Sequence, residues 1–329
     1  MRFLKILSVF LMLSLKTFCH EEPNIIFYNY NDLSYEHCEK VLKQTKLFNP
    51  SIKVYFIDKL KSRSKDLDGL KKLGVHFIPS ESLRKSSLHK KYAKTFKSRF
   101  MYKEDEAKDP FNKWFVVHDM ISHFDLKNTF FIDIDTLVYT DLKEFFGIFQ
   151  NFYPKLASTF ENEESSSHTI LYIHDQLALE KLNKFILQEA LNFSKPYKLL
   201  GNFRKEYGKE YIDSLPILPD DYIEETVLIS LDGNKPKEKK DFSKNYAVFG
   251  SLFDSCAIGE YLAGYNLEVG FKQIGHINSR SIINPYHFRF DFVKDEKGRK
   301  VPYMIHKGQK IKINNLKIES LQIDSFLSY

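Results

Sequence analysis

Two carboxylates one residue apart, Asp133 and Asp135, close an apolar run in the string from Phe130 to Phe146, FFIDIDTLVYTDLKEFF. In an extended chain, positions i and i+2 point the same way, so both acids can face one crevice. Hard oxygen donors placed like this suit Mg²⁺ or Mn²⁺, and such an ion clamps a diphosphate and stabilises it as a leaving group. The bare tripeptide is common by chance, and a strand-end acid often only caps the next turn. The flanks sharpen the reading. Phe130-Phe131-Ile132 would bury a strand and fix the pair, and Thr136-Leu137-Val138-Tyr139 leads through Thr140-Asp141-Leu142 into an acidic-aromatic helix start. Other chemistries lack their signatures. There is no Gly-x-Ser-x-Gly elbow, no GxGxxG or P-loop, and no CxxC or zinc spacing among the three cysteines. His118, His168 and His174 read as structural histidines, and His276 and His287 stay open.

An acid pair at a strand end needs a sheet behind it, because open α/β folds bind ligands outside the carboxyl ends of parallel strands. Asn24 to Tyr30 reads as a buried strand. Ser34 then caps a helix with Glu36 in its first turn, Ile52 to Ile57 forms a second strand and Val75 to Ile78 a third. Strand, helix, strand at this spacing predicts parallel βαβ units and an α/β fold. Residues 111–124 carry apolar side chains mostly at steps of three or four, the pattern of a helix with one core face. Asn128 to Ile132 is the strand that delivers the acids, and a strand at 169–173 and a helix at 175–190 follow. Residues 194–222, with Pro196, Pro216 and Pro219, read as irregular, and Ser255 as the cap of a helix ended by Gly264. Phe288 to Val293, Lys300 to Ile305 and Lys310 to Asn314 predict an antiparallel meander. Residues 20–329 therefore read as one domain with a β-rich tail.

Several segments form a combination. They are FNKWFVVHDMISHFDL at 111–126, the acid motif itself, LLGNF at 199–203, LPILP at 215–219, FGSLFD at 249–254, AIGEYLAG at 257–264, INP at 283–285, GRKVPY at 298–303 and KINNL at 312–316. Together they resemble GT-A-type nucleotide-sugar glycosyltransferases, and within them a group of GT-A-like proteins known mostly from genome sequences. The likeness covers most of residues 24–328. It implies a Rossmann-related, mostly parallel sheet flanked by helices, with a C-terminal antiparallel meander. It implies transfer of a sugar from a UDP- or GDP-sugar donor to the hydroxyl of a glycan or protein acceptor, with Mn²⁺ or Mg²⁺ as cofactor. On this resemblance Asp133 and Asp135 hold the metal, Asn29 and Tyr30 lie where the nucleotide base is held, and Lys113 stands where the group usually has Arg. Asp254 is then a catalytic candidate facing donor or acceptor sugar. The tail departs from the group's pattern. After Asn-Asn-Leu the group continues His-x-His-Ser-Lys, whereas this chain has Lys317-Ile318-Glu319-Ser320-Leu321. Glu319 falls at the second histidine position and offers an oxygen ligand, which Mg²⁺ and Mn²⁺ accept. Lys317 cannot ligate while charged and is expected to contact phosphate. The alternative is that metal binding is lost.

The amino terminus carries Arg2 and Lys5, then ten residues from Ile6 to Leu15 that are apolar except for two serines, then Lys16 to Cys19. This is the layout of a secretory signal peptide over residues 1–19, and it predicts a secreted or exported protein. The run falls short of the ~20 residues of a membrane-spanning helix; an uncleaved leader would leave the protein membrane-associated. The net charge of +6 falls to +3 without the leader's three bases, and the interrupted Lys run at 235–240 reads as a solvated loop. No nucleic-acid partner is expected, and the 30 Phe and 19 Tyr are scattered like core filler. Two other function classes compete. A GT-A-shaped protein that binds glycan or nucleotide sugar without turnover fits the altered tail. A haloacid-dehalogenase-type phosphatase also places Asp-x-Asp after a strand, but its Thr comes four residues after the first Asp, and here Thr136 comes three after Asp133.

Overall fold

Runs of apolar residues bounded by turn formers become strands buried on both faces, as a central parallel sheet requires. The structure is a computed structural model that describes residues 22–30, 32–59, 67–99, 110–189, 195–266, 272–318 and 323–329. The proposed leader at 1–19 and Glu319 lie outside the described residues. Seven strands form the main sheet: β1 (Asn24–Tyr28), β2 (Lys53–Asp58), β3 (Val75–Pro79), β4 (Thr129–Asp133), β6 (Leu156–Ser158), β7 (Ile170–Ile173) and β8 (Ile212–Ser214), with β5 (Thr136–Val138) outside it. Their order is β3-β2-β1-β4-β7-β6-β8. The pairs β1–β2, β2–β3, β1–β4 and β6–β8 are parallel, and β7 runs antiparallel to β4 and β6. The fold is thus mixed α/β with a mostly parallel central sheet flanked by helices. The chain winds outward from β1 through β2 to β3, then returns to place β4 on the other side of β1. That reversal is a topological switch point, and the crevice above it is where open α/β sheets take their ligands.

The meander forms as expected from β12 (Arg289–Lys294), β13 (Lys300–His306) and β14 (Gln309–Ile313), paired antiparallel. A fourth strand, β9 (Ser251–Leu252), adds in parallel to β14. A small ribbon joins β10 (Tyr265–Asn266) to β11 (Lys272–Gln273). The last strand, β15 (Asn315–Lys317), leaves the meander and pairs antiparallel with β5, directly after the acid motif. One apolar core runs from Ile25 to Leu327 across these elements. Its largest fully buried side chains are aromatic, Trp114, Tyr139, Tyr153 and Tyr172 among them.

Three local expectations change. The Asn112–Phe124 helix does not present one core face: every residue from Asn112 to Ile121 is buried, because it lies between the sheet and neighbouring helices. Residues 195–222, the described part of the stretch expected to be irregular, are largely helix and strand. They hold the Leu199–Tyr207 helix, β8 and the Asp220–Glu225 helix. Pro196 opens a helical turn and Pro219 stands at an N-cap, positions where a missing N–H costs nothing. Ser34 caps its helix, accepting from His37 N at 3.3 Å. Ser255 does not cap the Ala257–Ala263 helix, for Asp254 takes that role. Cys38 and Cys256 stay buried thiols on separate elements, the latter donating to Glu260 Oε1 at 2.9 Å. Among the described residues no helix is long and apolar enough to cross a membrane.

Candidate active site

Asp133 is the last residue of β4, in register with Tyr28 at the end of β1. The chain does not stay extended through Asp135. It turns at Ile134 and Asp135 before β5 begins, so strand alternation does not bring the acids together. A shared partner does. Lys317 Nζ lies 3.6 Å from Asp133 Oδ2 and 3.6 Å from Asp135 Oδ2. Asp133 Oδ1 meanwhile accepts from Lys113 Nζ at 3.0 Å. Two carboxylates and two ammoniums thus form a compact cluster at the carboxyl ends of β1 and β4.

The cluster has an inner and an outer tier. Lys113 and Asp133 are sealed, with side chains 3% exposed each, whereas Lys317 and Asp135 reach 10% and 13%. Lys113 enters from the first turn of the Asn112–Phe124 helix. Its ammonium sits 4.7 Å from the Tyr30 ring centre, 5.1 Å from Trp114 and 5.7 Å from Phe131, close enough for cation–π attraction, and it also reaches Tyr30 Oη at 3.5 Å. Burial alone would lower the Lys113 pKa, but the Asp133 carboxylate and Tyr30 more than offset it, and the ammonium is held above its ordinary value. Burial, and then the Asp133 charge, push the Tyr30 phenol above its usual range despite both lysines.

Lys317 is delivered by pairings that span the molecule. β15 aligns Lys317 with Thr136 of β5, and Ile318 N donates to Asp135 O at 2.7 Å. The two asparagines of the KINNL segment hold the strand in place. Asn314 Nδ2 donates to Ser251 Oγ at 2.8 Å, and Asn315 brackets Asp254, taking its N–H and donating to its C=O, both at 3.2 Å. Asp254 itself is wholly buried. Its carboxylate accepts from Ile258 N and Gly259 N at 3.0 Å and from Lys317 N at 3.1 Å. Burial pushes this carboxyl up to about 6 against the pull of those amides. A group so enclosed does not touch a sugar, and the catalytic role expected of Asp254 is corrected to a positioning one. It ties the start of the Ala257–Ala263 helix to β15. Gly259 allows that close approach, since a Cβ there would collide with the Lys317 carbonyl.

Asn29 is likewise committed to the loop. It accepts from Leu33 N at 2.8 Å and donates to Leu33 O and Asp58 Oδ2, both at 3.0 Å. It shapes the turn that carries Tyr30. Tyr30, Lys113, Asp133, Asp135 and Lys317 are therefore brought together, and Asn29 and Asp254 stand behind them.

One group that sequence reading set aside belongs here. The antiparallel register of β4 with β7 places Thr169 O on Asp133 N at 3.2 Å, and His168 precedes it with a left-handed φ of 58°. Its ring packs edge-on to Trp114 at 5.2 Å. Burial, then the charges of Lys113 and Lys317, hold its pKa well below the ordinary value, so the imidazole is neutral at pH 7. His168 Nε2 and Trp114 Nε1 are buried without hydrogen-bond partners. Leaving such atoms unpaired costs ~1–3 kcal/mol each. The sequence signal was only a polar residue preceding an apolar strand.

The expected divalent ion can be tested against these donors. Among the described residues no three carboxylate, imidazole or thiol groups converge on one point. The place between Asp133 Oδ2 and Asp135 Oδ2 is taken by the Lys317 ammonium, and Asp133 Oδ1 by Lys113. Among the described residues, Asp133, Asp135 and their neighbours do not by themselves fit a divalent ion in this arrangement, and Glu319, the third ligand expected, lies outside those residues. A separate cleft of about 530 Å³, lined by Glu163, Arg204, Lys209, Lys237 and Asp241 among others, contains none of these groups.

No protein-family model and no curated protein matches the chain. Solved structures do. Mouse xyloside xylosyltransferase 1 is similar at 11% identity over 62% of this chain and 89% of its own, with a TM-score of 0.42. The glycosyltransferase GlyE of Streptococcus pneumoniae is similar at 16% identity over 59% of this chain and 45% of its own, with a TM-score of 0.36. A cytidylyltransferase from Leptospira borgpetersenii is similar at 12% identity over 61% of this chain and 79% of its own, with a TM-score of 0.37. At such values the activity has to be argued from the site, and the chain's own architecture, an α/β sheet with paired carboxylates and lysines above its switch point, is the ground for it.

Proposed function

We propose that this chain transfers a sugar from a UDP- or GDP-sugar donor to an acceptor hydroxyl. The observation that carries the reading is the convergence of Lys113 and Lys317 on the strand-end acids Asp133 and Asp135. In the transfer, the acceptor oxygen forms a bond to the anomeric carbon. The bond from that carbon to the diphosphate oxygen breaks, the nucleoside diphosphate leaves with the electron pair, and the proton of the acceptor hydroxyl passes to a phosphate oxygen of the leaving group or to solvent. Negative charge then grows on the leaving oxygen. Fixed donors aimed at that charge in a poorly solvated crevice are the largest source of rate that such a site supplies. The Lys317 ammonium, in the outer tier, is a group of that kind. Asp133 and Asp135 hold the lysines in position, and Tyr30 walls the inner tier. The leader-like amino terminus supports work in a secretory or export route.

The test is incubation of the protein with a panel of UDP- and GDP-sugars, scoring release of nucleoside diphosphate. We expect release from at least one donor and its loss in Asp135→Ala, with the variant still folded. Release of inorganic phosphate instead would identify a phosphatase and sink the reading. A second reading, donor binding without turnover, is favoured by one observation: the Asp254 carboxylate is sealed and cannot take the acceptor proton. Saturable donor binding with no nucleoside diphosphate released from any panel member would establish it.

A further inference from the structure

Asp133 and Asp135 are the acids a divalent cation would need, yet they already hold positive charge. Lys317 stands midway between one oxygen of each, at 3.6 Å from both, and Lys113 stands at 3.0 Å from the remaining oxygen of Asp133. The four groups sum to zero charge. A divalent ion entering the cluster would meet two ammoniums and would have to expel Lys317. The backbone that presents this side chain is fixed, since Lys317 N donates to Asp254 Oδ2, Ile318 N donates to Asp135 O, and β15 pairs with β5.

We propose that this chain binds the diphosphate of its donor without a divalent metal, the Lys317 ammonium holding the place of the ion and Lys113 holding Asp133. This rests on the donor-binding reading above and deepens it. An ammonium carries three N–H donors, so a lysine positioned by carboxylates can still donate to phosphate oxygens. The outer tier is the one that meets ligand, because Lys317 and Asp135 are less sealed than Lys113 and Asp133. An ammonium already seated between the two acids suits a diphosphate better than a second cation would.

The experiment uses the full chain and two probes, UDP and GDP, titrated calorimetrically with EDTA and again with Mn²⁺. Thermal melting with Mn²⁺ alone is followed in parallel. We expect one of the nucleotides to bind with the same affinity, within about twofold, in both conditions. We also expect Mn²⁺ alone to leave the melting temperature of the wild type unchanged. Lys317→Ala should lose tenfold or more in affinity with EDTA and recover part of it with Mn²⁺, because the vacated acids can then accept the ion. Lys317→Arg, which keeps the charge and guards against a variant that fails to fold, should bind in EDTA. Binding in the wild type that requires Mn²⁺, or a rise in its melting temperature with Mn²⁺ alone, overturns the proposal and leaves the donor-binding reading standing. Absence of nucleotide binding in both conditions overturns that reading and the proposal with it.

Discussion

Replacing Lys113 by Met tests whether the inner tier is a true buried ion pair. The ammonium lies 3.0 Å from Asp133 Oδ1 with both side chains 3% exposed. At an effective dielectric near 20 this separation corresponds to about 5.5 kcal/mol of attraction, and Lys317 at 3.6 Å adds about 4.6 kcal/mol to the same carboxylate. Methionine fills most of the lysine volume but leaves Asp133 with Lys317 alone. Removing one partner of a buried pair costs ~3–5 kcal/mol, and the surviving lysine places the expectation at the low end, about 3 kcal/mol. For a chain of this size that is a fall in Tm of roughly 6 °C. Urea unfolding of Lys113→Met, Asp133→Asn and the double variant gives the coupling directly. The double variant should be more stable than the sum of the single losses by ~2 kcal/mol, because it strands no charge. The pH dependence supplies a second check. The Lys113 pKa is raised by folding, so its contribution is complete below its ordinary value of 10.5 and declines as pH rises beyond it. The wild type should lose stability there and the variant should not follow. A Lys113→Met protein within ~0.5 kcal/mol of the wild type, with no coupling to Asp133, would refute the buried pair and the charge balance built on it.

Three further outcomes follow from the scaffold around the site. Gly259→Ala should weaken nucleotide binding and lower stability by ~1–3 kcal/mol, since the added methyl meets the Lys317 carbonyl and Asp254 Oδ2; unchanged melting would show that β15 yields. Because the Asp254 carboxyl is raised to about 6 from 3.8, the folded chain holds its proton more tightly than the unfolded one. Its contribution is therefore greatest below about pH 4 and declines as pH rises through 6, so the stability advantage of wild type over Asp254→Asn should shrink between those values in urea titrations. Asp119 has the opposite sign. Burial would raise its pKa, yet it is held well below the carboxylate range by its histidine neighbours and Ser86 N. His89 Nδ1 at 2.5 Å carries this effect, since His118 Nδ1 at 3.8 Å is too distant for a hydrogen bond. Stability from Asp119 is present above its ordinary pKa near 3.8 and lost as pH falls below it, so Asp119→Asn should flatten the acid limb of the unfolding profile.

The parts of this molecule that depend on neighbours in sequence were legible. The alternation of apolar runs with helical segments is enough to specify β1, β2 and β4, and a strand that ends in acids above a parallel sheet follows from it. The meander was equally plain, because turn residues separate its three strands. What sequence could not supply was contact across long separations. Asp254 looked like an available acid because nothing local shows that amides at 258, 259 and 317 converge on it. His168 looked inert because only the β4–β7 register brings it to Asp133. Lys317 was recognised as the residue standing where a histidine was expected, but its position between both acids depends on β15 leaving the meander. The prolines misled for a different reason: Pro196 and Pro219 begin helical turns, whereas their clustering suggested loop.

The pairing of β15 with β5 joins residues about 180 positions apart. Closing so long a span carries an entropic penalty that only later contacts offset, so such pairings tend to form late in folding. Until β15 docks, Asp133 and Asp135 have Lys113 nearby and lack Lys317, and the half-built cluster carries net negative charge. The strand that docks across the longest span is therefore the one that completes the cluster, so the charge of the site is tied to the closing of the chain.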